Sequence, residues 1–141
     1  MHKLCKCSEN KYFELKVKLE QLYPDLEILH TPRSKCGKNY NGHDKSRFYW
    51  KFNIPTIEIY VESDDLFNNP CAKIATLAHE FGHYQYQLYI PRDKDIIVFE
   101  EIVAWILGFK LLINNDIDIY HMFSFAKDSI LSHAKYESRT I

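Results

Sequence analysis

His79-Glu80-Phe81-Gly82-His83 is the stretch around which the rest of the chain can be read. Residues four apart in an α-helix lie about 40° apart around its axis, so both imidazoles can reach one metal ion. Glu80 falls at the edge of the same face, where a carboxylate can accept a proton from a water without being a ligand itself. Two nitrogen ligands, a base and an open coordination position are the parts that metal-assisted hydrolysis needs. A chain with seven His and ten Glu would show this pattern by accident in roughly 2 cases per 100, so its surroundings decide.

The helical period extends outward from the motif. From Asn69 onward, Ile74, Leu77, Ala78, Phe81 and Leu88 form one apolar stripe, while Thr76, His79, Glu80 and His83 lie on the broadly opposite side. Polar residues there would simply face solvent unless a second element covers them. One follows: after Pro91, Ile96 to Ile113 is apolar on nearly every side and predicts a buried helix. Ile97, Glu101, Ala104, Trp105, Gly108 and Leu112 share one stripe of it. A carboxylate isolated in a core costs on the order of several kcal/mol or becomes protonated, and a metal ion would supply the partner Glu101 needs. Ala104 and Gly108 would let this helix approach another closely. Asn115 or Asp116 is the expected cap of a last helix, in which Ile119, Phe123, Ala126 and Ile130 recur at helical spacing.

Upstream, Ser8 is a candidate N-cap for a first helix carrying Tyr12, Leu15, Leu19 and Leu22, and Pro24 stops it. Leu26, Ile28 and His30 alternate as a short strand. Thr31 to Ser46, with Pro32, Gly37 and Gly42, reads as a loop or loose hairpin connection. Phe48, Trp50 and Phe52 give a second strand, and Ile57, Ile59 and Val61 a third, whose Glu58 and Glu62 suggest one solvated face.

The 141 residues suit one domain, residues 1–141, with residues 1–8 expected to be flexible. Apolar content of 46% with 15% aromatics indicates a ring-filled core rather than disorder. Eighteen basic residues against nineteen acidic ones leave no charge excess for nucleic acid. There is no signal-peptide run and no apolar stretch long enough to span a membrane, so a cytoplasmic location is expected. Cys5, Cys7, Cys36 and Cys71 are then expected as reduced thiols. Cys5-x-Cys7, near His2 and Cys36, offers donors for a second metal, but it is spaced more tightly than the usual metal-binding pair and reads first as part of a flexible, unpaired N-terminus.

His79-Glu80-x-x-His83, followed after seventeen residues by Glu101-Ile102-Val103-Ala104-Trp105, resembles a gluzincin metallopeptidase. The Ile57-Glu58-Ile59-Tyr60 strand and Ala75-Thr76-Leu77-Ala78 running into the motif most resemble the small ImmA/IrrE-type peptidases. The likeness covers about residues 55 to 113. It implies an α+β, minimal zincin-like fold: a small, mostly antiparallel three-stranded sheet on the HExxH helix, then a Glu-bearing helix and a C-terminal helix. It implies one Zn2+ per chain held by His79, His83 and Glu101, with Glu80 as general base. Helical geometry agrees on Glu101, because Glu100 points about 100° away; Glu100 is left as an acceptor for a histidine N–H or as the carboxylate of a shifted register. Trp105 departs from the pattern, standing where many relatives carry an Asp or Asn that orients a ligating histidine.

The activity implied is hydrolysis of a peptide bond in a protein or peptide substrate. Tyr120, His121 and His133 are candidate donors to the oxyanion, and Ile57–Val61 is the strand expected to pair with substrate. A zinc-retaining protein-binding module without proteolysis is the alternative, followed by a zinc hydrolase of a non-peptide substrate. A plain solvated histidine pair would leave Glu101 unexplained.

Overall fold

In the computed structural model, which describes residues 7–32, 45–61, 69–90 and 97–140 (136–140 without their side chains), Ser8 caps the first helix as its sequence predicts. Its hydroxyl oxygen accepts from the Lys11 N–H at 3.0 Å, opening α1 (Glu9–Leu22). Tyr12, Leu15 and Leu19 are buried, whereas Leu22 is exposed at the helix end. Cys7 packs against the core; residues 1–6 lie outside the described residues.

Three strands follow: β1 (Glu27–Thr31), β2 (Ser46–Lys51) and β3 (Ile54–Tyr60). Their order is β1-β3-β2, with β3 parallel to β1 and antiparallel to β2. The sheet is therefore mixed rather than mostly antiparallel. β2 and β3 are joined through Phe52 and Asn53, which both adopt positive φ (50° and 66°). That geometry suits a tight hairpin turn and ends β2 before Phe52, which the alternation had placed in the strand and which is 90% exposed.

The central place of β3 also corrects the expected solvated face. β3 has a paired strand on each side, and its residues from Pro55 to Tyr60 are all buried. Ile57 and Ile59 join the core cluster, and Thr56, Glu58 and Tyr60 are buried on the other face. Glu58 is paired there rather than wet: Arg47 Nε donates to its Oε1 at 2.9 Å, and the Arg47 guanidinium lies 4.1 Å from the Tyr49 ring centre. Glu62 lies outside the described residues.

Asn69 and Pro70 open the longest helix, α2 (Pro70–Tyr89); the Asn69 side chain accepts from Ala72 N at 3.1 Å, and Pro70 takes a position that needs no N–H. α3 (Ile97–Asn114) crosses it, burying Glu101, Ala104, Trp105, Gly108 and Leu112. This is the stripe the sequence singles out, but the helix is not buried all round. Phe99, Ile102, Ile106 and Ile113 are exposed, because α2 and the last helix cover only part of its circumference.

Asn115 and Asp116 end α3 instead of starting the next helix. Asp116 takes φ 60°, and Ile117 N–H returns to Leu112 O at 2.9 Å, closing the helix end with Ile117 buried. Asp118 Oδ1 then accepts from Tyr120 N at 3.0 Å ahead of a 3-10 turn (Tyr120–Met122), whose cap position is Ile119, and α4 (Phe123–Thr140). Among the described residues the architecture is thus α+β, a three-stranded mixed sheet with four α-helices.

α2 and α3 touch backbone to backbone. A Cβ added to Gly82 would lie 1.9 Å from the Ala104 carbonyl oxygen, and one added to Gly108 would lie 2.7 Å from that of Ala78. The sequence foretells the role of Ala104 and Gly108; that of Gly82 inside the motif becomes visible only here. Gly82→Ala must push the helices apart, at a cost of about 3 kcal/mol or more. It is expected to disperse His79, His83 and Glu101 as well, since they flank this contact. Thermal unfolding with metal analysis checks this, and parent-like stability would contradict the packing.

Candidate metal centre

His79 and His83 project from successive turns of α2 with their Nε2 atoms 3.1 Å apart. Glu101, on α3, reaches both: Oε1 is 2.7 Å from His79 Nε2 and Oε2 is 3.1 Å from His83 Nε2. Ligand atoms about 2.0–2.1 Å from a zinc ion stand about 3.3 Å apart in a tetrahedron, so little movement is needed to admit one. His79, Glu80 and His83 also form a group whose ligand atoms lie within 4.8 Å of one another and that could hold a metal ion. Two carboxylates therefore face the imidazole pair, and their surroundings differ.

Glu101 is almost fully enclosed, at 2% exposure, and its second partners come from α4. The Ser129 hydroxyl donates to Oε1, and His133 Nε2 lies 3.6 Å from Oε2. His133 Nδ1–H donates to the Ser129 carbonyl at 2.8 Å, which turns Nε2 towards the centre. Glu80 is held from the opposite side, where the hydroxyl of Ser46, the first residue of β2, donates to Oε2 at 2.7 Å. Between β2 and α4 lies an open cleft of ≈ 510 Å³ that contains Lys45, Arg47, Thr76 and Trp105 besides these groups.

The imidazoles are oriented by neighbours. His83 Nδ1–H donates to Glu100 Oε2 at 2.7 Å, and that oxygen also accepts from Gln87 Nε2 at 3.0 Å. Gln87 Oε1 in turn accepts from Trp50 Nε1 at 2.7 Å, tying β2 to the back of the site. Glu100 is thus the acceptor for a histidine N–H that its position on α3 suggests. Trp105 meets His79 by stacking, with ring centroids 4.2 Å apart and planes within 8°. The Trp105 ring face thus packs against that imidazole, whose Nε2 meets Glu101.

Without metal, burial disfavours a charge on His83, but hydrogen bonds to Glu100 and Glu101 prevail and raise its pKa to about 10. Burial likewise acts to raise Glu101, and His79 and His83 reverse this, holding its carboxyl well below the usual range. The metal-free centre is therefore a carboxylate-bound imidazolium at neutral pH. A metal ion needs the His83 Nε2 lone pair and must displace that proton. Because the competing proton leaves only as pH rises towards about 10, zinc affinity should increase about tenfold per pH unit from pH 6 to 8. Zinc titration against a competing chelator, followed through the His83 ring resonances, checks the sign; a flat response would contradict it.

Of the three candidate oxyanion donors, only His133 reaches the cleft; Tyr120 is largely exposed, and His121 lies beside Cys7, 3.4 Å from its sulfur. The expected substrate strand is also displaced: β3 is central and already paired on both edges. Ser46, Ser129 and Gln87 escaped the sequence reading. Only Gln87 carried a local signal, one turn beyond His83 on the same face. No family model, curated protein or solved structure matches the chain.

Proposed function

We propose that this chain is a zinc-dependent metallopeptidase of the gluzincin type, with a zincin-like fold and a resemblance to the small ImmA/IrrE-type enzymes, cleaving a peptide bond in a protein substrate in the cytoplasm. The observation that carries the reading is the division of labour between two carboxylates. Glu101 brackets both ring nitrogens from inside the protein, while Glu80 is held by Ser46 at the wall of the cleft. Zinc, held by His79, His83 and Glu101, would supply a Lewis acid and the activation of water for attack at neutral pH.

The protein residues then account for the proton path. Glu80 takes a proton from the attacking water and delivers it to the leaving amine, its carboxylate kept in place by the Ser46 hydroxyl. His133, fixed through Nδ1, directs Nε2 into the cleft, where its protonated form can donate to the developing oxyanion. β2 replaces β3 as the strand for substrate. Its first residues line the cleft, and among the described residues β3 is its sole strand partner, leaving an edge on which an extended peptide can pair. No helix among the described residues is long and apolar enough to cross a membrane.

The same His133 observation favours one second reading. As a neutral imidazole with Nδ1–H committed to Ser129, it presents an Nε2 lone pair and could close the site as a fourth ligand. A closed site is structural, and the chain would then act as a protein-binding module. Comparing parent and Glu80→Gln chains on a peptide library separates the two: zinc-dependent cleavage that the variant lacks supports the peptidase, and no cleavage by the zinc-loaded parent supports the module.

A further inference from the structure

Away from the cleft, three elements distant in sequence bring two thiols and an imidazole together. Cys7 immediately precedes the α1 cap, Cys71 lies in the first turn of α2, and His121 lies in the 3-10 turn before α4. Their sulfur and nitrogen atoms lie within 4.8 Å of one another, with Cys7 Sγ and His121 Nε2 3.4 Å apart. All three residues are partly buried. Sulfur at about 2.3 Å and nitrogen at about 2.0–2.1 Å from a zinc ion stand about 3.5 Å apart in a tetrahedron, and two sulfurs about 3.8 Å apart. The cluster thus matches one ligand pair already and reaches the rest by contracting about 1 Å.

We propose that Cys7, Cys71 and His121 form a second, structural zinc site. Two thiolates and an imidazole are a soft donor set that selects zinc over magnesium or calcium, and the helix N-terminus at Cys71 favours the negative charge that a metal-bound sulfur carries. Binding displaces a proton from each thiol and leaves the fourth position to a further donor. The position in the fold gives the site a purpose. Cys71 is about two turns, or about 12 Å, ahead of His79 along α2, and His121 precedes the helix that carries Ser129 and His133. A metal here clamps α1, α2 and the entry to α4, holding the α4 wall of the cleft against the histidine helix. The Cys5-x-Cys7 pair of the sequence is thereby replaced by Cys7 with Cys71; His2, Cys5 and Cys36 lie outside the described residues.

Elemental analysis of the full chain, purified under reducing conditions, tests this. The parent is expected to hold two zinc ions per chain, Cys7→Ser/Cys71→Ser one, Glu101→Ala one, and the combined variant none. Cobalt substitution provides a readout independent of the folding of the cysteine variant: a sulfur-to-cobalt charge-transfer band should be present in both the parent and Glu101→Ala. Absence of that band, or a cysteine variant with the parent's zinc content, overturns the second site. Unchanged zinc in Glu101→Ala alone would instead count against the His79–His83–Glu101 centre and leave the thiol site standing.

Discussion

Glu101→Ala is expected to remove one zinc ion per chain and to weaken binding at the histidine pair by more than 100-fold. Losing a contact behind a ligand costs roughly 10–100-fold in metal affinity, and the role proposed for Glu101 is that of a ligand itself. The chain should still fold, because His83 keeps its hydrogen bond to Glu100, and His79 keeps its stacking on Trp105. Glu101→Gln provides the volume-conserving control. It retains an acceptor for the Ser129 hydroxyl but loses the charge, so zinc should bind more weakly than in the parent and more tightly than in the alanine variant. Chelator competition with a circular-dichroism spectrum of each variant separates affinity from folding. Parent-like zinc affinity in a folded Glu101→Ala chain would refute the ligand assignment.

Glu80→Gln should have the opposite profile, with metal and fold retained and hydrolysis reduced roughly 10²–10⁴-fold, the usual contribution of a positioned general base. Glutamine is the right replacement because Glu80 is 4% exposed, and its amide oxygen can still accept from Ser46, whereas alanine would leave a void beside the histidines. The measurement is the initial rate on the best substrate from a peptide library, at matched zinc occupancy. A variant as fast as the parent would exclude Glu80 as the base. A variant that loses cleavage but keeps its biological effect would show that binding, not cutting, is the function exercised.

The parts of this site legible in the sequence are those written in one helical register. His79 and His83 are placed together by a four-residue spacing, Glu101 is conspicuous as a charge in an apolar helix, and Glu100 follows as its neighbour 100° around the axis. The stacking of Trp105 on His79, the grip of Ser46 on Glu80 and that of Ser129 on Glu101 are tertiary events. Ser46 arrives on a strand thirty-odd residues earlier, and nothing local marks it. The sheet illustrates the same limit. Alternation identifies Ile57 and Ile59 as inward, but period two is the same for a central and an edge strand. It could not tell that β1 runs parallel to β3, or that the antiparallel register of β2 on β3 sets Arg47 beside Glu58. α3 erred in the other direction, for hydrophobicity all round predicted full burial, and its outer face is exposed.

The central claim, that two histidines and the glutamate of the following helix make one metal site with Glu80 outside it, is tested most directly by an anomalous-difference map at the zinc edge from crystals of the zinc-loaded chain. The expected result is a peak bonded to His79 Nε2, His83 Nε2 and a Glu101 carboxylate oxygen at about 2.0–2.2 Å, with the Glu80 carboxylate out of coordination range and still held by Ser46. A map with no peak between the histidines, or with Glu80 rather than Glu101 as the carboxylate ligand, would contradict it.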